Sequence, residues 1–280
     1  MSRHDQLFKD LFRALFRDLL QLTDPELAAG LAAEGAIYLD KEVFLDVPEG
    51  RRREADLVAE VSDRSEGKKF LIHVEIERRF QSDFGRRLWR YSAQLHLRHP
   101  LPVFSLVVFL RGGPAGPAWT SHTERFRGRP VHRFSYLEFG LSKLPAETLV
   151  SRPEPLAWAL AALARPGPAG RARLKLDLLR KISRAPVGEV RRFLLANCVE
   201  TYLQLSGRDL QEYLSLRRAL DSPEVEAMEM TWADRLSAKY REQYKEHYRE
   251  FYREQYREEG LESGLQKGLQ TGLERLRRTV

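Results

Sequence analysis

Cysteine is almost absent: Cys198 stands alone among 280 residues. That excludes an intrachain disulfide and any zinc cluster built on cysteine, and it suits a reducing compartment. Long apolar runs are missing as well. The stretch Phe104 to Leu110, for one, falls far short of the ~20 residues that cross a bilayer as a helix. The N-terminal M-S-R-H-D-Q-L-F-K-D interrupts its apolar residues with charges, unlike the core of a signal peptide. The expectation is a soluble, cytoplasmic protein with no membrane partner.

What is present is charge and a real core. Lys and Arg number 47 against 40 Asp and Glu, a formal charge of +7, and 42% of residues are hydrophobic. A basic balance suits a polyanionic partner, but it reports phosphate affinity alone and names no sequence.

The periodicities predict an α/β order. Leu7, Phe8, Leu11, Phe12, Leu15, Phe16, Leu19 and Leu20 make an amphipathic helix. Thr23, Asp24 and Pro25 stop it and cap a short Ala-rich helix ending near Gly35. Strand chemistry follows at 37–47, at 55–61 and at 69–77, with tight turns between, which predicts an antiparallel meander. After Asp83, the residues Phe84, Leu88, Tyr91 and Leu95 mark a helix that Pro100 and Pro102 end. The apolar V-F-S-L-V-V-F-L after it reads as a strand buried on both faces, able to lie parallel to the third strand through a helical crossover. Further strands lie between Trp119 and Phe139. A helix over about 155–163 precedes the breaker R-P-G-P-A-G-R, where the core domain is expected to end. Residues 170–230 read as several helices, one holding Cys198 as a small buried hydrophobe.

The stretch F-L-I-H-V-E-I-E, residues 70–77, carries the chemical interest. A strand has period two, so His73, Glu75 and Glu77 project to one face and Ile72, Val74 and Ile76 to the other. Asp56 lies on the preceding strand, and adjacent antiparallel strands bring such side chains close. Either these carboxylates face water at the sheet's edge, or they converge on a cation. Mg2+ suits the second case, since it takes hard oxygen ligands, keeps several waters, and activates one of them against a phosphodiester. A zinc site from His73, Glu75 and Glu77 is disfavoured, because alternating strand positions stand ~7 Å apart.

The run H4-D5-x-x-F8-K9, the strand E-A-D56-L-V, then I-H-V-E75-I-E77 and R87-L-W-R-Y91 together resemble the Rpn (recombination-promoting nuclease) or YhgA-like transposase family. That family is similar to the PD-(D/E)XK nuclease superfamily, whose core is helix, strand meander, helix and strand. The resemblance covers roughly residues 4–113. It implies a metal-dependent DNA endonuclease acting in transposition or recombination, with Asp56 and Glu75 as ligands of Mg2+, or of Mn2+ in its place. The third catalytic position falls on Glu77. Here the chain departs from the pattern: the superfamily has Lys at this position and the family usually Gln, so a carboxylate reverses the electrostatic role, acting instead as a further ligand or general base. Compensation is expected from Lys9, Arg78, Arg79 or Arg87. Arg87 and Tyr91, four apart on one helix face, either approach the carboxylates or pack as a Tyr on the sheet beside a snorkelling Arg. Asp5 and Lys9 either approach the site or form a helix ion pair.

The tail repeats every four residues: Tyr240, Tyr244, Tyr248, Tyr252 and Tyr256, then Gly260, Gly264, Gly268 and Gly272. A four-residue step drifts by roughly 40° around a helix and cannot sustain a heptad seam, and each glycine costs about 1 kcal/mol relative to Ala. The expected organisation is a PD-(D/E)XK-like domain over 1–165, a helical region over 166–235, and a repetitive helical tail over 236–280, solvated or holding a homo-oligomer together. A catalytically inactive nuclease fold serving as a binding or scaffold protein is the alternative function.

Overall fold

The computed structural model describes residues 3–32, 36–39, 43–46 and 51–219, all within the compact unit Met1–Asp221. The tyrosine and glycine repeats of the tail lie outside the described residues.

The first amphipathic pattern forms two helices, α1 (Arg3–Ala14) and α2 (Phe16–Thr23), rather than one. The break is a bend at Leu15, φ −125° and ψ 38°, yet the bonds Leu15 N→Leu11 O and Leu19 N→Leu15 O continue across it. The apolar stripe therefore stays continuous, with Leu11, Phe12, Leu15, Phe16, Leu19 and Leu20 all buried. The Asp24 side chain accepts from Leu27 N and caps α3 (Pro25–Gly30), which ends earlier than expected.

Strands β1 (Ile37–Tyr38), β4 (Leu57–Ser62) and β5 (Lys69–Glu77) form the predicted meander. The segment between β1 and β4 does not continue it: β2 (Val43–Asp46) and β3 (Arg51–Glu54) pair with each other as a separate two-stranded sheet. Helix α4 (Phe84–Arg98) then crosses over to β6 (Val103–Phe109), which lies parallel to β5, as the alternation of helix and strand patterns implies. A long hairpin, β7 (Gly116–Phe126) and β8 (Arg129–Gly140), completes a mixed six-stranded sheet in the order β1-β4-β5-β6-β8-β7, with β8 parallel to β6.

Helix α4 covers one face of this sheet, burying Tyr91 and Leu95 against Val58 and Leu71, and Phe84 and Leu88 against Val107 and Phe109. Ile72, Val74, Leu106 and Val108 on the other face are equally buried. The sheet is thus covered on both sides, and β5 and β6 are central strands.

The chain continues through α5 (Ala146–Val150), α6 (Pro155–Leu160) and a 3-10 turn at Ala161–Leu163. Three further helices follow: α7 (Gly170–Ser183), α8 (Glu189–Tyr202) and α9 (Gly207–Ala219). Among the described residues the architecture is α/β with nine α-helices around the mixed sheet, and no helix is long and apolar enough to cross a membrane. The helices after the proline breaker pack on the earlier ones. The Phe8 ring of α1 sits 5.2 Å from that of Tyr202 in α8, and α7 and α8, joined by Lys175 and Glu200 at 2.7 Å, both pack on α6; ahead of the breaker, Asp18 accepts from Leu156 N at the start of α6. Burial raises the Asp18 carboxyl above its ordinary pKa.

Candidate active site

The β4–β5 hairpin builds the site. Its turn is tied by the Asp63 carboxylate, which accepts from Ser65 N, Ser65 Oγ and Glu66 N. This turn fixes a register in which Leu57 pairs with Val74, and one step further Asp56 stands opposite Glu75. Each carboxylate faces a backbone amide of the opposite strand. Asp56 Oδ2 accepts from Ile76 N at 2.8 Å, and Asp56 N approaches Glu75 Oε1 at 3.5 Å.

Because β5 is central and α4 lies over it, the solvent-edge reading of this face is overturned: His73 is fully buried and Glu75 is buried. His73 Nε2 lies 2.8 Å from Glu75 Oε1, and the His73 ring stands edge-on to Tyr91 at 6.4 Å. Burial, and then the charge of Glu75, push the Asp56 carboxyl up to about 6; Lys9 and the Ile76 amide oppose the rise.

Two of the expected cations reach the carboxylates. Lys9, projecting from α1, places Nζ 3.2 Å from Asp56 Oδ1 and 3.4 Å from the Ala55 carbonyl. Arg87 forms an ion pair with Glu77 and lies over the Phe84 ring, 4.5 Å from its centroid. Glu77 is therefore neutralised by α4, while the ammonium charge beside Asp56 comes from α1. Tyr91 belongs to both of its expected settings, since it packs with Val58, Leu71 and Leu95 and also lines the cleft.

Lys9, Asp56, Glu75, Glu77 and Tyr91 share one open cleft of about 1640 Å3. Its far wall is contributed by Arg171, Thr201, Tyr202 and Gln204, from the helical region beyond residue 165. Sequence reasoning missed these four. No local pattern marks them, because their place on the wall depends on how α7 and α8 dock against α1. Arg78, Arg79 and Arg111 stand exposed on the same cleft, and for two of them the polar break after β5 was the visible signal.

The donor set fits one small divalent cation of the Mg2+ type. Two adjacent carboxylates in a partly buried cleft repel each other, offer hard oxygens, and leave room for the waters that Mg2+ keeps. Among the described residues no group of three or more His, Cys, Asp or Glu side chains is disposed to hold a metal. A Mg2+ site of this kind needs only one or two carboxylates beside water and phosphate oxygens. No family model matches the chain, and no curated protein and no solved structure is found similar to it.

Proposed function

We propose that this protein is a metal-dependent DNA endonuclease with a PD-(D/E)XK-like core, hydrolysing phosphodiester bonds without a covalent enzyme intermediate. The observation that carries the reading is the pairing of Asp56 with Glu75 across the β4–β5 register, beside Lys9, in a cleft large enough for a nucleic-acid strand.

In this reading Asp56 and Glu75 would hold Mg2+ or Mn2+, which when bound supplies a Lewis acid and lowers the pKa of a coordinated water. The chain's own residues do the rest. His73 orients Glu75 through its Nε2 contact, and the Ile76 amide fixes Asp56. Lys9 provides the positive charge that the superfamily pattern carries at the position of Glu77, so that Glu77, held by Arg87, need not reverse the electrostatics. Arg78, Arg79 and Arg111 offer guanidinium groups to phosphates along the rim. With the resemblance of residues 4–113, this supports a cytoplasmic role in recombination or transposition.

One observation favours a second reading, an inactive nuclease fold kept as a binding scaffold: the carboxylate at the third catalytic position is committed to an ion pair with Arg87. Incubation of supercoiled plasmid with Mg2+, Mn2+ or EDTA decides between them. Nicking that needs metal and disappears in Glu75→Gln supports the nuclease, whereas wild type inert with both metals supports the scaffold.

A further inference from the structure

The β7–β8 hairpin is more ribbon than sheet. Only Leu137–Gly140 at the end of β8 pair with β6, while the rest of the hairpin pairs with itself alone from Thr120–Tyr136 out to Phe126–Arg129. Glu75, Val107 and Glu138 lie level across β5, β6 and β8. Arg129 precedes Glu138 by nine positions, so the tip reaches roughly 30 Å along the strand direction from the level of the carboxylates.

The tip R-F-R-G-R-P-V-H-R, residues 125–133, holds four arginines and no acid, and every residue in it is exposed, including Phe126 at 64% and Val131 at 52%. Arg125 Nη1 donates to the Gly128 carbonyl, and the Arg127 guanidinium lies 5.6 Å from the centroid of the Phe126 ring. The preceding acid, Glu124, faces His122 Nε2 at 3.7 Å. The turn itself has φ 48° at Arg127 and 80° at Gly128. Both central residues of such a two-residue turn need positive φ, for which Asn-Gly is the usual choice, and a larger side chain in that region costs about 1–2 kcal/mol. A strained arginine at an exposed tip is the kind of outlier that points to a partner. At its base the tip is braced, because the Trp89 ring of α4 lies against His132 at 5.6 Å and His122 at 6.4 Å.

A two-stranded isolated ribbon is marginal alone in water, and its width matches the ~12 Å major groove of duplex DNA. We infer that the β7–β8 hairpin is a duplex-binding arm, with Arg125, Arg127, Arg129 and Arg133 on phosphates and base edges of the groove and Phe126 in apolar contact beside them. This gives the nuclease reading a double-stranded substrate, and it rests on that reading only in taking the bound duplex to be what the cleft cuts.

The test is fluorescence anisotropy of a labelled 24-base-pair duplex with the full chain in EDTA, over a salt series, so that binding is read without cleavage. The variant is Arg125→Gln/Arg127→Asn/Arg129→Gln/Arg133→Gln, in which Asn relieves the turn and thermal unfolding checks the fold. Each phosphate that the arm ceases to neutralise lowers the slope of log K against log salt by about 0.9. The expected result is a slope smaller by about 3 and binding at least ~10-fold weaker at 0.1 M salt, with the corresponding four-lysine variant keeping the wild-type slope. Binding unchanged in the Gln/Asn variant overturns the arm. So does equal affinity for single strands, or binding to phosphatidylserine vesicles in place of duplex. Asp56→Asn separates the two proposals: full binding without nicking supports both, whereas a wild type that binds through the arm yet never nicks removes the nuclease and leaves the arm.

Discussion

Asp56→Asn should stabilise the protein while removing the proposed nuclease activity. The Asp56 carboxyl titrates near 6 in the fold against an ordinary 3.8, a rise already net of the attraction from Lys9. The folded state therefore holds the Asp56 proton more tightly than the unfolded chain. Stability is lost as pH rises through the window from about 3.8 to about 6, and the loss is complete above it. At 1.36 kcal/mol per unit, the ionised form costs about 3 kcal/mol at pH 8 and only a small fraction of that at pH 4. Asn keeps an oxygen for the Ile76 amide and carries no charge, so in EDTA it should recover most of that difference. For a folded unit of this size each kcal/mol is worth roughly 2–4 °C. Thermal unfolding followed by circular dichroism should then find the variant about 6–12 °C more stable than wild type at pH 8 and nearly equal to it at pH 4. Adding Mg2+ should raise wild type alone, because the ion binds the ionised carboxylate. A variant less stable than wild type at pH 8 in EDTA, or a gain that does not vary with pH, would refute the account of the two repelling carboxylates.

Other expectations follow from the same geometry. Lys9→Met leaves the Asp56–Glu75 pair without its cation, so unfolding should come about 1 kcal/mol sooner. The Mg2+ needed for half-maximal protection should fall, since no ammonium competes for Asp56, while Asp56→Asn remains unresponsive. Glu77→Gln breaks the pair with Arg87, costing about 1 kcal/mol in urea unfolding, and plasmid nicking should persist within ~10-fold, since an interaction of that size corresponds to at most such a factor. A loss of ~100-fold, about 2.7 kcal/mol, would assign Glu77 to the chemistry. Cys198 is fully buried with its thiol pushed up to about 12, so iodoacetamide at pH 8 should label it only when the protein unfolds. Rapid native labelling would contradict the packing of α8 on α6. Gly140→Ala would put a Cβ against the backbone carbonyl oxygens of Pro114 and Gly112, and should destabilise by at least ~2 kcal/mol in the same urea assay.

The sheet core was legible because its signals are local. The apolar run Val103–Phe109 reads as a doubly buried strand from composition alone, and the stripe Phe84, Leu88, Tyr91, Leu95 reads as a helix from spacing alone. Their alternation with β5 implies the parallel pairing that is found. The bend at Leu15 was not legible, since the apolar period continues through it. Nor was the departure of β2 and β3 from the meander, because strand-forming residues at 43–46 do not say which strand they will pair with. The same division holds at the site. Asp56 and Glu75 share a face by period and register, both countable in the chain. Lys9 at Asp56 and Arg87 at Glu77 join elements 47 and 10 positions apart, and which cation reaches which carboxylate depends on how two helices dock. The wall from Arg171 to Gln204 is a still more distant consequence of docking.

The central claim is that Asp56 and Glu75 form a metal-dependent phosphodiesterase site. Its most direct test is the initial rate of plasmid nicking from pH 5 to 9 in Mg2+, with Asp56→Asn measured in parallel. The account predicts a rate that climbs with pH as Asp56 ionises and levels off above an apparent pKa at or below about 6, with nothing in EDTA and nothing in the variant. Nicking that survives in Asp56→Asn, or a wild type that leaves the plasmid intact at every pH, would contradict it.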